Sequence, residues 1–284
     1  MRELRILHNT TYNYSAPVTF GVHTLLLRPR VGHDIQIKSS RLDISADNRT
    51  NWFRDSQNNS VALVEILEPA DTLTFDSEVV IDHHDQAVRD VMYEHAWALR
   101  YPLQYTTDER VELSPYMMPI FTKESGVMEQ WLTQFWQPGW VNNLMELLDL
   151  INQTIYNTIS YQLREEFGVQ RPVETILSQS GSCRDLATLF LEACRHLGLA
   201  ARFVSGYLYA PGLAAAERST HAWAEVYIPG LGWLGYDSTI GKTVAGDHIA
   251  VAVARHPERV PPIAGSFSGE AESSMAIEVT ITPG

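Results

Sequence analysis

Gly181-Ser182-Cys183-Arg184-Asp185 runs without a break into Leu186-Ala187-Thr188-Leu189-Phe190-Leu191-Glu192-Ala193-Cys194-Arg195-His196-Leu197-Gly198. Leu186, Leu189, Phe190, Ala193 and Leu197 recur at three- and four-residue steps, the spacing of a helix that buries one whole apolar face. Ser182 stands where an N-cap belongs and Asp185 follows three residues later. Hydroxyl and carboxylate are thus placed to satisfy the free amides of the first turn, while Gly198 suits a left-handed stop. Cys183 therefore opens a central helix. A thiol in a first turn meets the positive end of the macrodipole and unpaired N–H groups, both of which favour the nucleophilic thiolate. Cys194 falls on the buried stripe of the same helix, about three turns away and too far to bridge to Cys183, so both thiols are expected to be reduced.

Downstream the period changes to two. Ala201 to Tyr209 reads as a strand and Pro211 to Ser219 as a loop. In Thr220-His221-Ala222-Trp223-Ala224-Glu225-Val226-Tyr227-Ile228 the polar and aromatic members His221, Trp223, Glu225 and Tyr227 share one face, opposite Ala222, Ala224, Val226 and Ile228. Pro229-Gly230-Leu231-Gly232 turns the chain back into Trp233-Leu234-Gly235-Tyr236-Asp237. A turn centred between Gly230 and Leu231 sets His221 opposite roughly Ile240 and one to three positions from Asp237, within reach of it.

Cys183, His221 and Asp237 together are what nucleophilic acyl transfer needs. A thiolate attacks the acyl carbon, an imidazole takes and returns the proton, and a carboxylate fixes the imidazole's tautomer and stabilises its charged form. The backbone N–H of Cys183, at the helix start, is available to a developing oxyanion. The same three residues offer only a mixed ligand set, with no CxxC or HxxxH pair, so no metal is expected. His83-His84-Asp85 reads as a solvated turn rather than a metal site, because adjacent ligands in a strand point to opposite faces.

The chain has 284 residues, 45% of them hydrophobic, enough for a large core and two domains of ordinary size. A net charge of −13 excludes a general nucleic-acid or anionic-membrane binder. No run approaches the roughly 18 apolar residues of a membrane span and no apolar leader opens the chain, so a cytoplasmic location is expected. Residues 1–85 read as short β-strands between turns, with Asp55 to Ser60 as one such turn, and a β-sandwich-like domain is the simplest packing. Residues 86–123 carry Tyr101-Pro102, Ser114-Pro115 and Met118-Pro119 and read as an irregular connecting segment. Residues 124–284 read as an α+β catalytic domain, with helices over Glu124–Trp136, Asn142–Tyr161 and Pro172–Leu177 ahead of the cysteine helix. The connecting segment is not a Gly/Ser linker, so the first domain is expected to pack beside the catalytic one near the mouth of its cleft and to restrict which acyl groups enter.

Gly181 to Asp185, His221 to Gly230 and Gly232 to Thr239, in that order and spacing, resemble the bacterial transglutaminase-like cysteine peptidase family. The likeness extends to Asp247-His248-Ile249-Ala250-Val251-Ala252-Val253-Ala254-Arg255, to Pro261 to Gly265, and to the β-rich start with Tyr12-Asn13-Tyr14 and Leu27-Arg28-Pro29-Arg30. It implies a papain-like α+β fold and maps nucleophile, base and orienting acid onto Cys183, His221 and Asp237. Ser238 stands where that family commonly has proline, and His256 where an acid is usual. The resemblance implies a peptide, protein or other amide substrate. It leaves open whether the thioester goes to water, as in a peptidase or amidase, or to an amine, as in a transglutaminase. Water is favoured by abundance, since transfer requires a site that excludes it. The acidic residues are scattered without EF-hand-like spacing, so no cofactor is expected. The reading of another class is a non-catalytic peptide- or protein-binding module on the same scaffold, against which the complete set of three residues counts.

Overall fold

The computed structural model describes residues 1–84, 99–164, 166–210 and 220–284. Asp85, most of the first half of the predicted connecting segment, and the predicted loop Pro211–Ser219 lie outside them.

The first third of the chain is a two-sheet sandwich. One sheet is built on β1 (Arg2–Phe20), with β6 (Ala70–His83) antiparallel beside it and β3 (Ile35–Ile44) beyond β6. The other holds β2 (His23–Leu25), β4 (Asn48–Arg54) and β5 (Ser60–Ile66). Their alternating inward residues, among them Val18, Phe20, Leu25, Val64, Leu73 and Phe75, close over one core. His83 is buried at the end of β6 rather than solvated, because it falls on the inward parity of a strand that runs further than its turn-like sequence suggests.

Sequence order misplaces the end of this unit. Sequence order puts residues 263–284 with the α+β domain, but three later strands return to the sandwich. Ile263–Ala264 pairs with β2, Phe267–Ser268 with the end of β1, and Ser273–Pro283 with β1 along its length. The cause is the length of β1. A 19-residue strand leaves a long row of unpaired N–H and C=O groups on the side away from β6, and the C-terminal strand covers that edge.

The connecting segment also departs from expectation, since it holds α1 (Thr107–Met117) with Pro115 inside it. Thr106 and Glu109 form a capping box, and Ser114 Oγ donates to Val111 O at 3.2 Å, the carbonyl that the missing Pro115 N–H leaves free. The segment is clasped on both sides. Arg255 donates to Pro115 O and Met118 O, Tyr116 OH meets Gln57 of the sandwich, and buried Glu192 accepts from the Ile120 and Phe121 amides.

The second half of the chain packs α2 (Ser125–Leu132), α3 (Leu144–Thr158), α4 (Pro172–Ser178) and α5 (Cys183–His196) against a five-stranded antiparallel sheet. Its strands are β7 (Ala201–Leu208), β8 (Thr220–Ile228), β9 (Gly232–Asp237), β10 (Lys242–Thr243) and β11 (His248–Ala254), in the order β10-β9-β8-β7-β11. Leu186, Leu189, Phe190 and Ala193 of α5 share a core with Ala222, Ala224, Val226 and Ile228 of β8, so the apolar face of the hairpin strand is the one the cysteine helix covers. The opposite face is left to His221, Trp223 and Glu225. Gly198 has φ +74° and ends the helix in the left-handed region, as its sequence position demands.

The sandwich docks on the outer edge of β11. Arg30 N donates to Ala250 O, and the buried Asn59 amide bonds both the N–H and the C=O of Val253, at 2.9 and 2.8 Å. At the far end of that edge Arg2 pairs with Asp247 at 2.8 Å, so the sandwich reaches the end of the sheet from which His221, Asp237 and His248 project.

Candidate active site

Cys183 starts α5 and is partly exposed, whereas Cys194 is fully buried and its burial pushes the thiol up. The turn before Cys183 is fixed by a carboxylate used more heavily than the capping pattern foresees. Asp185, with no exposed surface, accepts from Ser182 N and Ser182 Oγ at 2.8 and 2.7 Å. It also accepts from Arg164 Nη1 on both oxygens, at 2.8 and 2.9 Å, and from Gln170 N at 2.7 Å. Ser182 Oγ thus donates to the carboxylate as well as capping, and Asp185 ties the chain around residues 164–170 to the helix mouth. Arg164 carries no periodic signal and was not singled out from sequence.

His221 and Asp237 come from adjacent strands. The observed register pairs Ala224 with Tyr236 and Val226 with Leu234, one residue from the register expected of the turn. Continued outward, it sets Trp223 opposite Asp237 and His221 on the diagonal, a separation long side chains bridge. His221 Nε2 lies 2.7 Å from Asp237 Oδ2, and the Cys183 side chain is a second neighbour that favours the ring's charged form. Burial, the strongest single influence on His221, disfavours its charged form, but Asp237 and Cys183 together outweigh it and raise the imidazole to about 10. For Asp237, also fully buried, desolvation favours protonation. Hydrogen bonds from His221 and His248 reverse that and hold the carboxyl well below its usual range. Thr239 N donates to the other oxygen, Oδ1, at 2.9 Å.

The second imidazole, His248, begins β11, and its Nε2 is 3.0 Å from Asp237 Oδ2. In the sequence it stands out only as part of the segment Asp247–Arg255. Between the strands of His221 and His248 runs Gly206, paired with both His221 and Ala250. A Cβ there would stand 2.3 Å from Ile249 O and 2.7 Å from Trp223 Cη2, so glycine is required where the indole crosses the sheet.

Among the described residues, His221, Asp237 and His248 are the group whose donor atoms could hold a metal ion, all lying within 4.8 Å of one another. Their separations argue otherwise. Both Nε2 atoms converge on one carboxylate oxygen at 2.7 and 3.0 Å, distances that N–H···O bonds fill and that leave no room for a cation between donor and acceptor. A cavity of about 370 Å³ opens beside the helix mouth; the described residues that line it, among them Tyr156, Ile159, Tyr161, Leu186, Ser238 and Thr239, include no charged side chain.

Two stretches of the chain match known families: residues 4–82 the bacterial transglutaminase-like N-terminal region, and residues 137–238 the transglutaminase-like superfamily. The match to the transglutaminase-like superfamily falls on the half of the chain that carries the candidate site. The second match holds Cys183, His221 and Asp237. An uncharacterized protein of Mycobacterium tuberculosis is 28% identical over 98% of this chain and 92% of its own length, and one of Mycobacterium leprae is 25% identical over 99% of each. The crystal structure of a candidate cysteine protease from Cytophaga hutchinsonii covers 99% of this chain and 93% of its own, with a TM-score of 0.74 and 19% sequence identity, a likeness of fold. The transglutaminase-like core is thus an α+β domain of papain-like fold, preceded by a β-rich region. No described helix is long and apolar enough to cross a membrane.

Proposed function

We propose that this transglutaminase-like protein hydrolyses a peptide or amide bond through Cys183 as nucleophile, His221 as base and acid, and Asp237 as the orienting carboxylate. The observation that carries the reading is the position of His221. Its Nε2 is committed to Asp237, which leaves Nδ1 for Cys183, the side chain that with Asp237 favours the charged ring. A histidine held in its charged form beside a helix N-terminus stabilises the thiolate.

In the reaction the Cys183 sulfur attacks the carbonyl carbon, and the Cys183 backbone N–H faces the developing oxyanion. The C–N bond breaks, His221 gives its proton to the departing amine, and a thioester remains. Water then attacks the thioester while His221 takes its proton, releasing the acid and the thiol. No redox partner, metal or cofactor enters these steps. The uncharged cavity beside Leu186 suits a neutral side chain of a peptide or protein substrate. Arg2 and Asp247 bring the sandwich to the same end of the sheet, where on this reading it bounds one side of the cleft.

Mass spectrometry of the protein incubated with a library of acyl esters and peptides tests the proposal. An acyl adduct on Cys183 that water releases is expected, and its absence from Cys183→Ala. Release by added amines but not by water would instead make the protein an amine transferase. No adduct on Cys183 with any substrate would favour a binding module.

A further inference from the structure

Two imidazoles converge on the one carboxylate, and the proposed chemistry uses only His221. His248 is buried at the start of β11, across β8 and β7 from the strand of Asp237. Its Nδ1 faces the Ala245 N–H at 3.5 Å, which makes that nitrogen the acceptor and leaves the proton on Nε2. Nε2–H then points at Asp237 Oδ2, 3.0 Å away, the oxygen that also receives His221. With Thr239 N on Oδ1, donors hold both carboxylate oxygens, and rotation of the carboxylate about its own bond breaks at least one contact.

We propose that His248 is a positioning residue for the reaction: its Nε2–H holds the Asp237 carboxylate in the plane and ionisation state in which it supports His221. This rests on the reading of Cys183, His221 and Asp237 as a catalytic set. The ring is itself firmly placed. Trp223 packs edge-on against it with centroids 5.2 Å apart, and β11 is pinned on the other side by Arg30 and Asn59 of the sandwich. The charged groups around it are few. Asp237 and His221 face it directly. Its neighbour Asp247 is neutralised by Arg2, and Lys242, the cross-strand partner of Asp237, is exposed.

Without the second imidazole a buried carboxylate keeps its desolvation penalty but loses one of its donors, so it takes up a proton at higher pH. The experiment compares wild type, His248→Leu, His248→Gln and His221→Ala by the pH dependence of Cys183 alkylation, with thermal midpoints measured in parallel. The Leu variant's acid limb should be displaced upward by about one pH unit or more, so that it alkylates about tenfold more slowly on that limb and recovers as pH rises. The Gln variant, which keeps an N–H donor, should stay within about threefold of wild type. A Leu variant whose midpoint falls but whose limb stays in place overturns the positioning role and makes His248 structural. Equal losses in the Leu and Gln variants overturn the hydrogen-bond account. If wild type and His221→Ala alkylate alike, the catalytic reading itself has failed, an outcome distinct from either. Should the Leu variant not fold, displacement of the acid limb in the Gln variant beyond about one pH unit would overturn the proposal on its own.

Discussion

The candidate-site end of the five-stranded sheet and the seam where the sandwich meets that sheet each hold a desolvated histidine, and the two take opposite charge states. At the seam, His8 bonds Tyr207 OH at 2.9 Å and Thr10 Oγ1 at 3.0 Å, both neutral partners, and burial lowers it to about 4. At the active-site end His221 meets a carboxylate and a thiol, and these override the same desolvation to raise it to about 10. Both sites draw on the same strand, β7, since Tyr207 follows Gly206, the residue paired with His221. Depth therefore does not set the charge. An anionic partner at hydrogen-bond distance does.

The largest effects should come from removing the members of that arrangement. Cys183→Ala and His221→Ala should each lower turnover by about 10⁴-fold or more while the thermal midpoint stays near wild type, since residues acting as a unit fail together. Turnover retained within tenfold in the alanine variant at 183 would end the nucleophile assignment.

Asp237→Asn turns the active-site histidine into a counterpart of His8, buried without a carboxylate. A loss of about 10³-fold is expected, smaller than for His221→Ala because the acid orients and stabilises rather than transfers the proton. The NMR titration of His221 in this variant should fall below about 6.5. A ring still titrating near its wild-type value would show that the carboxylate is not what sets its charge.

What the sequence made legible follows the range of the interactions. The cysteine helix and the hairpin are local, their periods are unbroken, and His221 and Asp237 could be set near one another from spacing alone, with Cys183 joined to them by its place at a helix start and by the family resemblance. The register missed by one residue because the turn's centre was assumed. His248 was out of reach, since its meeting with Asp237 depends on the spatial order of strands β9-β8-β7-β11, which no local pattern encodes. The return of Ser273–Pro283 to β1 is likewise a pairing between the two ends of the chain. Helix α1 was hidden by Pro115, whose cost is offset by a hydroxyl one residue earlier.

The seam gives a smaller, opposite-signed test. His8 is neutral in the fold and titrates near 6.5 when unfolded. Its stabilising contribution is therefore complete above about pH 6.5 and is lost as pH falls from there to about 4, up to about 3 kcal/mol in all, because the unfolded chain takes the proton first. Urea unfolding at pH 7 and pH 4 should show that loss in wild type and much less of it in His8→Gln. Equal pH dependence in the two proteins would remove His8 from the account.

Asn59→Ala should act on the seam alone. It strips the bonds to both backbone groups of Val253 and should cost about 1–3 kcal/mol while leaving turnover within threefold. A loss of turnover far beyond that, with the protein folded, would show that the sandwich and the active site are not separable in this way.

The central claim, that Cys183 is an activated nucleophile served by His221, is tested most directly by competitive iodoacetamide labelling followed by peptide mapping from pH 5 to 9. Both thiols lie on one helix, so each protein carries its own control. The account predicts rapid labelling of Cys183 at neutral pH, no labelling of Cys194 in the folded state, and a Cys183 profile that reverts to that of an ordinary thiol in His221→Ala. Preferential labelling of Cys194, or a Cys183 profile unchanged by His221→Ala, would contradict it.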